Sequence, residues 1–317
     1  MKISFITTIY NEETSIEKFL ISLLAQTKKP DEIIIVDGRS TDKTIERIKN
    51  YESRIKDKKV VFNVLIKKGN RSVGRNEAIR HATGNIIVCS DSGNILDKNW
   101  IENIIEPFKN KNVDVVAGYY QGLAKSVFQK CLLPYAFVMP DKIDPNNFLP
   151  ATRSIAFTKS IWEKVRRFNE KLSHNEDYAF AKSLQKMNAN IVFKKDAIVY
   201  WIPRSTFKQA FIMFFRFAYG DAEARIWRPK VVFLFVRYIV AILLLILAII
   251  KGSIGLIYLL VFLALIYLVW AIVKNYRYVN AWQAIFILPT IQLVADVAVI
   301  SGTIDGLVKI WDIKKMS

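Results

Sequence analysis

The sequence predicts an α/β domain built on a mostly parallel twisted sheet, followed by an α-helical membrane domain. Two observations carry this prediction. Residues 1–203 alternate short β-rich runs with amphipathic helical patterns, whereas the rest of the chain is dominated by long apolar segments. Strands that alternate with helices indicate a sheet covered by helices on both faces. A mean hydropathy of +0.20 beside 23% charged residues fits a chain in which charged and apolar residues are segregated.

The elements of the first part follow from their residue patterns. The predicted strands are Ile3–Thr8, Ile33–Val36, Val60–Ile66, Ile86–Cys89, Val113–Ala117 and Ser154–Phe157, and the predicted helices are Glu13–Ala25, Thr41–Ile55, Ser72–Ala82 and Asn99–Phe108. The first helix has one apolar face, made by Ile16, Phe19, Leu20, Leu23 and Leu24. Ligands of such sheets bind beyond the carboxyl ends of the strands, where the strand order switches. Catalytic residues are therefore expected directly after the strands.

An aromatic and basic segment, residues 204–229, precedes the membrane domain. Phe207, Phe211 and Phe215 recur on one side of a helical pattern, with Lys208 and Arg216 interspersed. Such a helix is typical of the membrane interface. An ordinary core helix of the first domain has the same amphipathic pattern and remains an alternative.

Residues 230–317 form the expected membrane domain, with spans at about 231–250 and 254–273. Both segments match the thickness of the hydrocarbon core. Arg237, near the start of the first span, is expected to extend to the interface. The segment 284–304 contains Pro289, Gln292 and Asp296 but is long enough to span, and a third span is favoured over the alternative of two spans plus a bent interfacial helix.

Charge and the N-terminus bear on location and partners. The formal net charge is +18, which favours anionic lipid or phosphate-bearing substrates, although a generally Lys-rich proteome explains it equally well. Basic residues are scattered among acidic ones and no recognition module stands out, so nucleic acid is not an expected partner. No signal peptide opens the sequence, and Lys274 and Arg277 follow the second span. We therefore expect a multi-pass protein of the cell membrane with a cytoplasmic catalytic domain.

Acidic residues follow three of the predicted strands: Glu12, Asp37 and Asp91. Carboxylates that converge at strand ends can hydrogen-bond a base or ribose, or can hold a divalent metal. Each alone is more commonly a turn or cap residue, but three at successive strand ends favour a ligand site. No glycine-rich phosphate-binding sequence follows the first strand, which argues against a dinucleotide-binding domain and a P-loop.

Five segments in this order resemble the motifs of glycosyltransferase family 2, which has the GT-A fold. They are Thr8-Ile9-Tyr10-Asn11-Glu12, Val36-Asp37-Gly38-Arg39-Ser40-Thr41-Asp42-Lys43-Thr44, Gly74-Arg75-Asn76-Glu77-Ala78-Ile79, Asp91-Ser92-Gly93, and Phe168-Asn169-Glu170 through His174-Asn175-Glu176-Asp177-Tyr178. The resemblance covers residues 1–203. It implies an inverting enzyme that uses a nucleotide-sugar donor. The membrane tail is similar to that of members that build lipid-linked or exported glycans, which implies a membrane-associated acceptor.

The resemblance also implies roles for particular residues. The nucleotide pocket would be lined by Thr8, Tyr10, Glu12 and Asp37, with Asp37 directed to the base. Arg75 would lie near the donor, and Asp177, next to Glu176, would be the general base that takes a proton from the acceptor hydroxyl. Taken alone, Glu176 and Asp177 are more commonly a charged helix N-terminus, but the strand Ser154–Phe157 and the ordered motifs before them favour the catalytic interpretation.

Asp91 is the first residue of the family's Asp-x-Asp motif, which binds Mg²⁺ or Mn²⁺ at the donor diphosphate. The third position of that motif is Gly93 in this chain. One carboxylate, diphosphate oxygens and waters can still hold a divalent ion. Metal dependence with weakened affinity is therefore expected.

Other functions remain open at this point. A polyprenyl-phosphate acceptor would need no base, and a non-catalytic membrane scaffold would explain Gly93. A processive synthase is disfavoured because the Gln-x-x-Arg-Trp sequence is absent, and Arg225-Ile226-Trp227 resembles it only loosely. A transporter is disfavoured because no intramembrane charge is expected to pair with Asp296.

Overall fold

The computed structural model describes residues 1–56 and 60–316, and the chain divides into two compact units. The first unit comprises Met1–Leu123 and Pro140–Ile202. The second comprises Ala124–Met139 and the chain from Pro203. Residues 124–139, which lie within the expected 1–203 domain, thus group with the C-terminal helices.

Within the described residues, the first unit is built on an eight-stranded mixed sheet. Its strands are β1 (Ile3–Ile9), β2 (Glu32–Asp37), β3 (Val61–Ile66), β4 (Ile86–Cys89), β5 (Asn94–Leu96), β6 (Val115–Gly122), β7 (Ile155–Thr158) and β8 (Ile191–Trp201), in the order β3-β2-β1-β4-β7-β6-β8-β5. The strands β3, β2, β1 and β4 are parallel. β7 is antiparallel to β4 and β6, and β5 is antiparallel to β8. Because β1 lies between β2 and β4, the strand order reverses there, and its carboxyl end is the expected ligand position.

The helices follow the same chain order. They are α1 (Ile16–Leu24), α2 (Thr44–Lys56), α3 (Arg71–His81), α4 (Trp100–Ile105), α5 (Val127–Ala136), α6 (Lys159–Lys164), α7 (Glu176–Lys186), α8 (Phe207–Glu223), α9 (Pro229–Ile250), α10 (Ile254–Asn275) and α11 (Ala284–Met316). Alternate residues of β1 point to opposite faces of the sheet. Phe5 packs in one apolar core with Phe19 of α1, and Ile6 packs in the other with Ile79 of α3. Helices therefore cover both faces.

The predicted α/β class with flanking helices is confirmed. The apolar face expected on α1 is buried at Ile16, Phe19, Leu20 and Leu23. Two strands were not predicted. β5 has only three residues, too few to show a period, and β8 is interrupted by the polar run Lys194-Lys195-Asp196.

Three helices among the described residues are long and apolar enough to cross a membrane, at Pro229–Ile250, Ile254–Tyr278 and Ala284–Lys309. This finding indicates a membrane protein and agrees with the three-span interpretation. α11 has 33 residues, and at about 1.5 Å per residue it is longer than a hydrocarbon core of about 30 Å.

Helix α8 packs on the C-terminal half of α11 through two glycines. A Cβ on Gly302 would lie 2.3 Å from the carbonyl oxygen of Phe215, and one on Gly306 would lie 2.7 Å from that of Tyr219. Small residues four positions apart allow two helix backbones to approach this closely. One face of α8 is thus taken by α11, while its interfacial location stays a prediction.

Arg237 and Asp296 form an ion pair in the second unit, contrary to two expectations from the sequence. Arg237 Nη2 lies 2.7 Å from Asp296 Oδ2, so Arg237 turns toward α11 and Asp296 does have a charged partner. The hydroxyls of Tyr238 and Tyr267 donate to the same oxygen, and Gln292 Nε2 donates to Oδ1. Sequence reasoning missed the pair because its members are 59 positions apart.

Candidate active site

The loops that follow β1 and β2 form one rim at the carboxyl end of the sheet. Ile9 and Asp37 are register partners at the ends of these strands. Asn11 Oδ1 accepts a hydrogen bond from the backbone amide of Thr41 at 2.9 Å, and the backbone amide of Asn11 donates to Ser40 Oγ at 2.9 Å. The buried Asp37 carboxylate accepts from the Ser40 amide at 3.1 Å and from Ser40 Oγ at 2.6 Å. These bonds fix Asp37 at the edge where a nucleotide would enter.

The other residues expected at the nucleotide occupy different parts of this rim. Tyr10 is 60% exposed, and its ring lies beside Gly38, where a Cβ would be 3.5 Å from Tyr10 Cδ2. An exposed ring in this position can stack on a base. The carboxylate of Glu12 accepts a hydrogen bond from Ser15 at the start of α1, so it is engaged within its own loop.

Thr8 lies under α3, and Gly74 permits the contact. A Cβ on Gly74 would lie 2.6 Å from Thr8 Cγ2, so only glycine lets α3 approach β1 this closely. The next residue of the helix, Arg75, is thereby brought to the carboxyl end of β4.

Arg75 is buried and joins two carboxylates from distant parts of the chain. Its Nη2 lies 2.8 Å from Asp91 Oδ1 and its Nη1 lies 2.6 Å from Glu176 Oε1. Burial disfavours the charged guanidinium, but Glu176 and Asp91 outweigh it and raise the pKa of Arg75. With only 2% of its side chain exposed, Arg75 holds the acidic residues in place.

Helix α3 also fastens the acceptor-side segment. Asn76 Nδ2 donates to the carbonyl of Phe168 at 2.8 Å, and Asn76 Oδ1 accepts from the Phe168 amide at 3.1 Å. Asn70, the N-cap of α3, donates to the carbonyls of Glu170 and Leu172. Helix α3 therefore connects its own motif, Gly74–Ile79, to the Asp91–Gly93 segment and to the segment that begins at Phe168.

The acidic residues of the site have different pKa values. Burial alone would raise the pKa of Asp91, but Arg75 and Arg153 hold it below its usual range. The pKa of Glu176 is also lowered, because Arg75 outweighs the effect of burial. Asp177 has a raised pKa, owing first to burial and then to the neighbouring charge of Glu176. Asp177 is thus the most basic carboxylate of the three, as suits a proton acceptor.

Sequence reasoning missed a turn that lies against the Asp91 segment. Thr152 Oγ1 donates to Asp91 Oδ1 at 3.3 Å. The carbonyl of Arg153 accepts from Ser90 Oγ at 2.7 Å and from Asn94 Nδ2 at 3.3 Å. The available signal was the position of Thr152 and Arg153 directly before the expected strand Ser154–Phe157.

The Arg153 guanidinium is held by aromatic rings. Its Cζ lies 4.3 Å from the ring centroid of Trp201 and 5.4 Å from that of Tyr120. Among the residues that the structure describes, the guanidinium has these rings as partners but no hydrogen-bond acceptor. A cation is therefore presented at the site without being neutralised by a bonded carboxylate.

The metal expected from the sequence fits only a site with a single protein carboxylate. In the described part of the chain, no group of three or more His, Cys, Asp and Glu side chains could hold an ion. The Asp91 side chain is 38% exposed, and its bonds from Arg75 and Thr152 both go to Oδ1. A Cβ on Gly93 would meet nothing within 4 Å. Asp91 Oδ2 with diphosphate oxygens therefore fits a shared ion.

Relatives of this chain are glycosyltransferases. The chain is 27% identical over 206 residues to the poly(ribitol-phosphate) beta-N-acetylglucosaminyltransferase TarP of Staphylococcus aureus (strain N315), a match that covers 62% of this chain and 61% of TarP. It is 27% identical over 191 residues to the UDP-Glc:alpha-D-GlcNAc-diphosphoundecaprenol beta-1,3-glucosyltransferase WfgD of Escherichia coli, covering 59% and 70% of the two chains. The chain thus spans less than two thirds of the length of TarP.

A solved structure supports the fold. The mannosyltransferase PcManGT from Pyrobaculum calidifontis, in complex with GDP-Man and Mn²⁺, matches with a TM-score of 0.66 at 17% identity, over 96% of this chain and 87% of the other. Residues 4–130 match the model of the family described as Glycosyl transferase family 2. Residues 4–130 therefore match a glycosyltransferase family 2 domain, within a fold of the GT-A type.

Proposed function

We propose that this chain is an inverting glycosyltransferase that moves a sugar from a nucleotide-diphosphate sugar to a hydroxyl of a lipid-linked or otherwise membrane-associated glycan. The carrying observation is the Asp91–Arg75–Glu176 bridge, with Asp177 beside it at the carboxyl end of the sheet. WfgD, whose printed name gives a UDP-Glc donor and a diphosphoundecaprenol-linked acceptor, supports both substrate classes.

The donor would bind along the rim formed after β1 and β2. Asp37 would accept hydrogen bonds from the base, Tyr10 would stack on it, and Thr8 would line the pocket floor. Asp91 would face the diphosphate. Bound there, Mg²⁺ or Mn²⁺ would supply positive charge that offsets the charge of the leaving nucleoside diphosphate.

Asp177 would act on the acceptor. It would take the hydroxyl proton as the acceptor oxygen forms its bond to the anomeric carbon, and the bond from that carbon to the diphosphate would break with its electron pair on the leaving oxygen. A single displacement of this kind inverts the anomeric configuration. Since the pKa of Asp177 is raised, transfer should fall as the pH drops through that pKa and the base becomes protonated.

The membrane helices support an acceptor held in the bilayer. A catalytic unit attached to three candidate spans works close to the membrane surface, where lipid-linked glycans are concentrated. We assign this unit to the cytoplasmic side because Lys274 and Arg277 follow α10, as the positive-inside tendency expects.

The decisive experiment replaces Asp177 with Asn. The amide keeps the size of the side chain but cannot accept the proton, so the transfer rate should fall by roughly 10²–10⁴-fold while donor affinity changes little. The matched control is Asp196→Asn, an exposed position on β8, which should behave like the parent.

Two results would contradict the base assignment. A transfer rate within a few-fold of the parent would indicate an acceptor that is already ionised, such as a polyprenyl phosphate. A loss of donor binding would instead place Asp177 in the nucleotide pocket.

A further inference from the structure

Arg153 is fixed beside the metal-binding segment by its backbone. Its carbonyl accepts hydrogen bonds from Ser90 and Asn94, the residues on either side of Asp91-Ser92-Gly93. Thr152, the preceding residue, bonds Asp91 itself. These bonds hold the turn that carries Arg153 against the Asp91 segment, which would face the donor diphosphate.

The side chain is arranged to bind an oxyanion. The guanidinium lies over the rings of Trp201 and Tyr120, with its Cζ 4.3 and 5.4 Å from their centroids, and no carboxylate among the described residues bonds it. A planar guanidinium held in this way presents a fork of N–H donors, which matches two phosphate oxygens.

Arg153, rather than Arg75, is available to a phosphate of the donor. Arg75 is buried and bonded to both Asp91 and Glu176, so its single charge already faces two carboxylates. No carboxylate among the described residues bonds Arg153, and Thr152, directly before it, bonds Asp91. The positive charge of Arg153 therefore lies on the turn next to the Asp91 segment, which would face the diphosphate.

We propose that Arg153 binds the diphosphate of the donor and compensates for the carboxylate that Gly93 does not supply. This inference rests on the proposed transfer from a nucleotide-diphosphate sugar. When the bond between the anomeric carbon and the diphosphate breaks, its electron pair stays on the phosphate oxygen, and Arg153 stabilises that oxygen with charge-assisted hydrogen bonds. Arg153 then supplies part of the positive charge that a metal held by two carboxylates would otherwise supply at the leaving phosphate.

The test measures binding of UDP, UMP, GDP and GMP to the purified full chain in detergent, in EDTA and in Mn²⁺. Arg153→Gln should weaken the affinity for whichever nucleoside diphosphate the parent binds, UDP or GDP, by about 10- to 100-fold, as expected for a charged hydrogen bond. The affinity for the corresponding monophosphate should stay within about two-fold of the parent. The loss of diphosphate affinity relative to monophosphate affinity should be largest in EDTA, because no metal ion then helps to neutralise the diphosphate. Arg167→Gln is the matched control, since that guanidinium also lies over a tryptophan, Trp162, at 5.1 Å.

A second pair of variants separates this role from folding. Arg153→Lys keeps the charge but not the fork, and diphosphate affinity should fall to an intermediate value. Gly93→Asp added to Arg153→Gln should restore diphosphate binding in Mn²⁺ and not in EDTA, because the new carboxylate can act only through the ion.

The outcomes are distinct. If Arg153→Gln lowers the affinities for diphosphate and monophosphate equally, Arg153 supports the structure of the pocket, and the proposal is overturned. Unchanged diphosphate binding with a raised KM for the acceptor would place Arg153 on an acceptor phosphate and overturn it as well. If the parent binds neither UDP nor GDP, the proposed function itself fails, whatever the variants do.

Discussion

At the scale of single residues, the site depends on a buried arginine that two carboxylates share. The strand-end pattern pointed to Asp91, and the resemblance to glycosyltransferase family 2 pointed to Glu176 and Asp177. They did not reveal that Arg75 bonds two of them, since Asp91 and Glu176 lie far apart in the chain. Arg153 belongs to none of the segments that resemble the family, and the hydrogen bonds from Ser90 and Asn94 and the rings of Trp201 and Tyr120 identify it.

The metal prediction belongs to this scale. Asp91→Ala should lose most of the turnover, and chelation of the parent by EDTA should reproduce the loss reversibly, because Asp91 would supply the single protein carboxylate of the proposed metal site. Gly93→Asp should tighten Mn²⁺ binding, since a side chain at that position enters open space. Metal titration of the parent and both variants provides the measurement.

Two results would argue against this view. Full activity of the parent in a metal-free chelated assay would remove the metal from the reaction. Unchanged Mn²⁺ affinity in Gly93→Asp would mean that another group already fills the position.

At the scale of secondary structure, the strongly patterned elements were predictable and the short or interrupted ones were not. β1, β2 and β4 are apolar runs bounded by polar residues, and α1 has a clear apolar face. β5 is too short, and α5 lies in a stretch with scattered prolines, one of them within the helix at Pro134. The pairing of β7 with β4 and β6 comes from tertiary contacts that no local pattern contains.

The Arg237–Asp296 pair gives a prediction at this scale. Asp296 is buried with four hydrogen-bond donors around it, so Asp296→Leu leaves Arg237 and two tyrosine hydroxyls without their acceptor. We expect a loss of about 1–3 kcal/mol in the free energy of unfolding. The double variant Arg237→Met with Asp296→Leu should lose less than Asp296→Leu alone, because no uncompensated charge remains.

Thermal unfolding in detergent micelles measures both variants. Val297→Leu, at an exposed position of the same helix, is the control and should unfold like the parent. A double variant as unstable as the single one would show that the pair does not act through charge compensation.

At the scale of the whole molecule, the chain crosses between its two units three times. It crosses after Leu123, after Met139 and after Ile202. Removal of the membrane helices therefore leaves residues 124–139 without the rest of their unit. In that unit, the ring of Phe128 in α5 packs on Phe207 at 4.9 Å, and the Tyr135 hydroxyl donates to the Leu288 carbonyl at 3.1 Å.

Truncation after Pro203 should therefore give a weakly active protein that aggregates through α5. Phe128→Ser should improve the recovery of this fragment as a monomer, because the ring has lost its partner, whereas in the full chain the same change should lower the unfolding temperature. Size-exclusion chromatography of the fragment and thermal unfolding of the full chain provide the two readouts. A fragment that stays fully active on its acceptor would reduce the membrane helices to a tether.

The grouping of α5 with the C-terminal helices also has a consequence for synthesis on the ribosome. Residues 124–139 leave the ribosome before any of their partners, and α11 begins only at Ala284. At roughly 5–20 residues per second, α5 waits about ten seconds or longer for that helix. During that time its apolar face must be covered by a chaperone, by the translocation machinery or by the membrane surface, so the order of residues in the chain makes early delivery to the membrane part of correct folding.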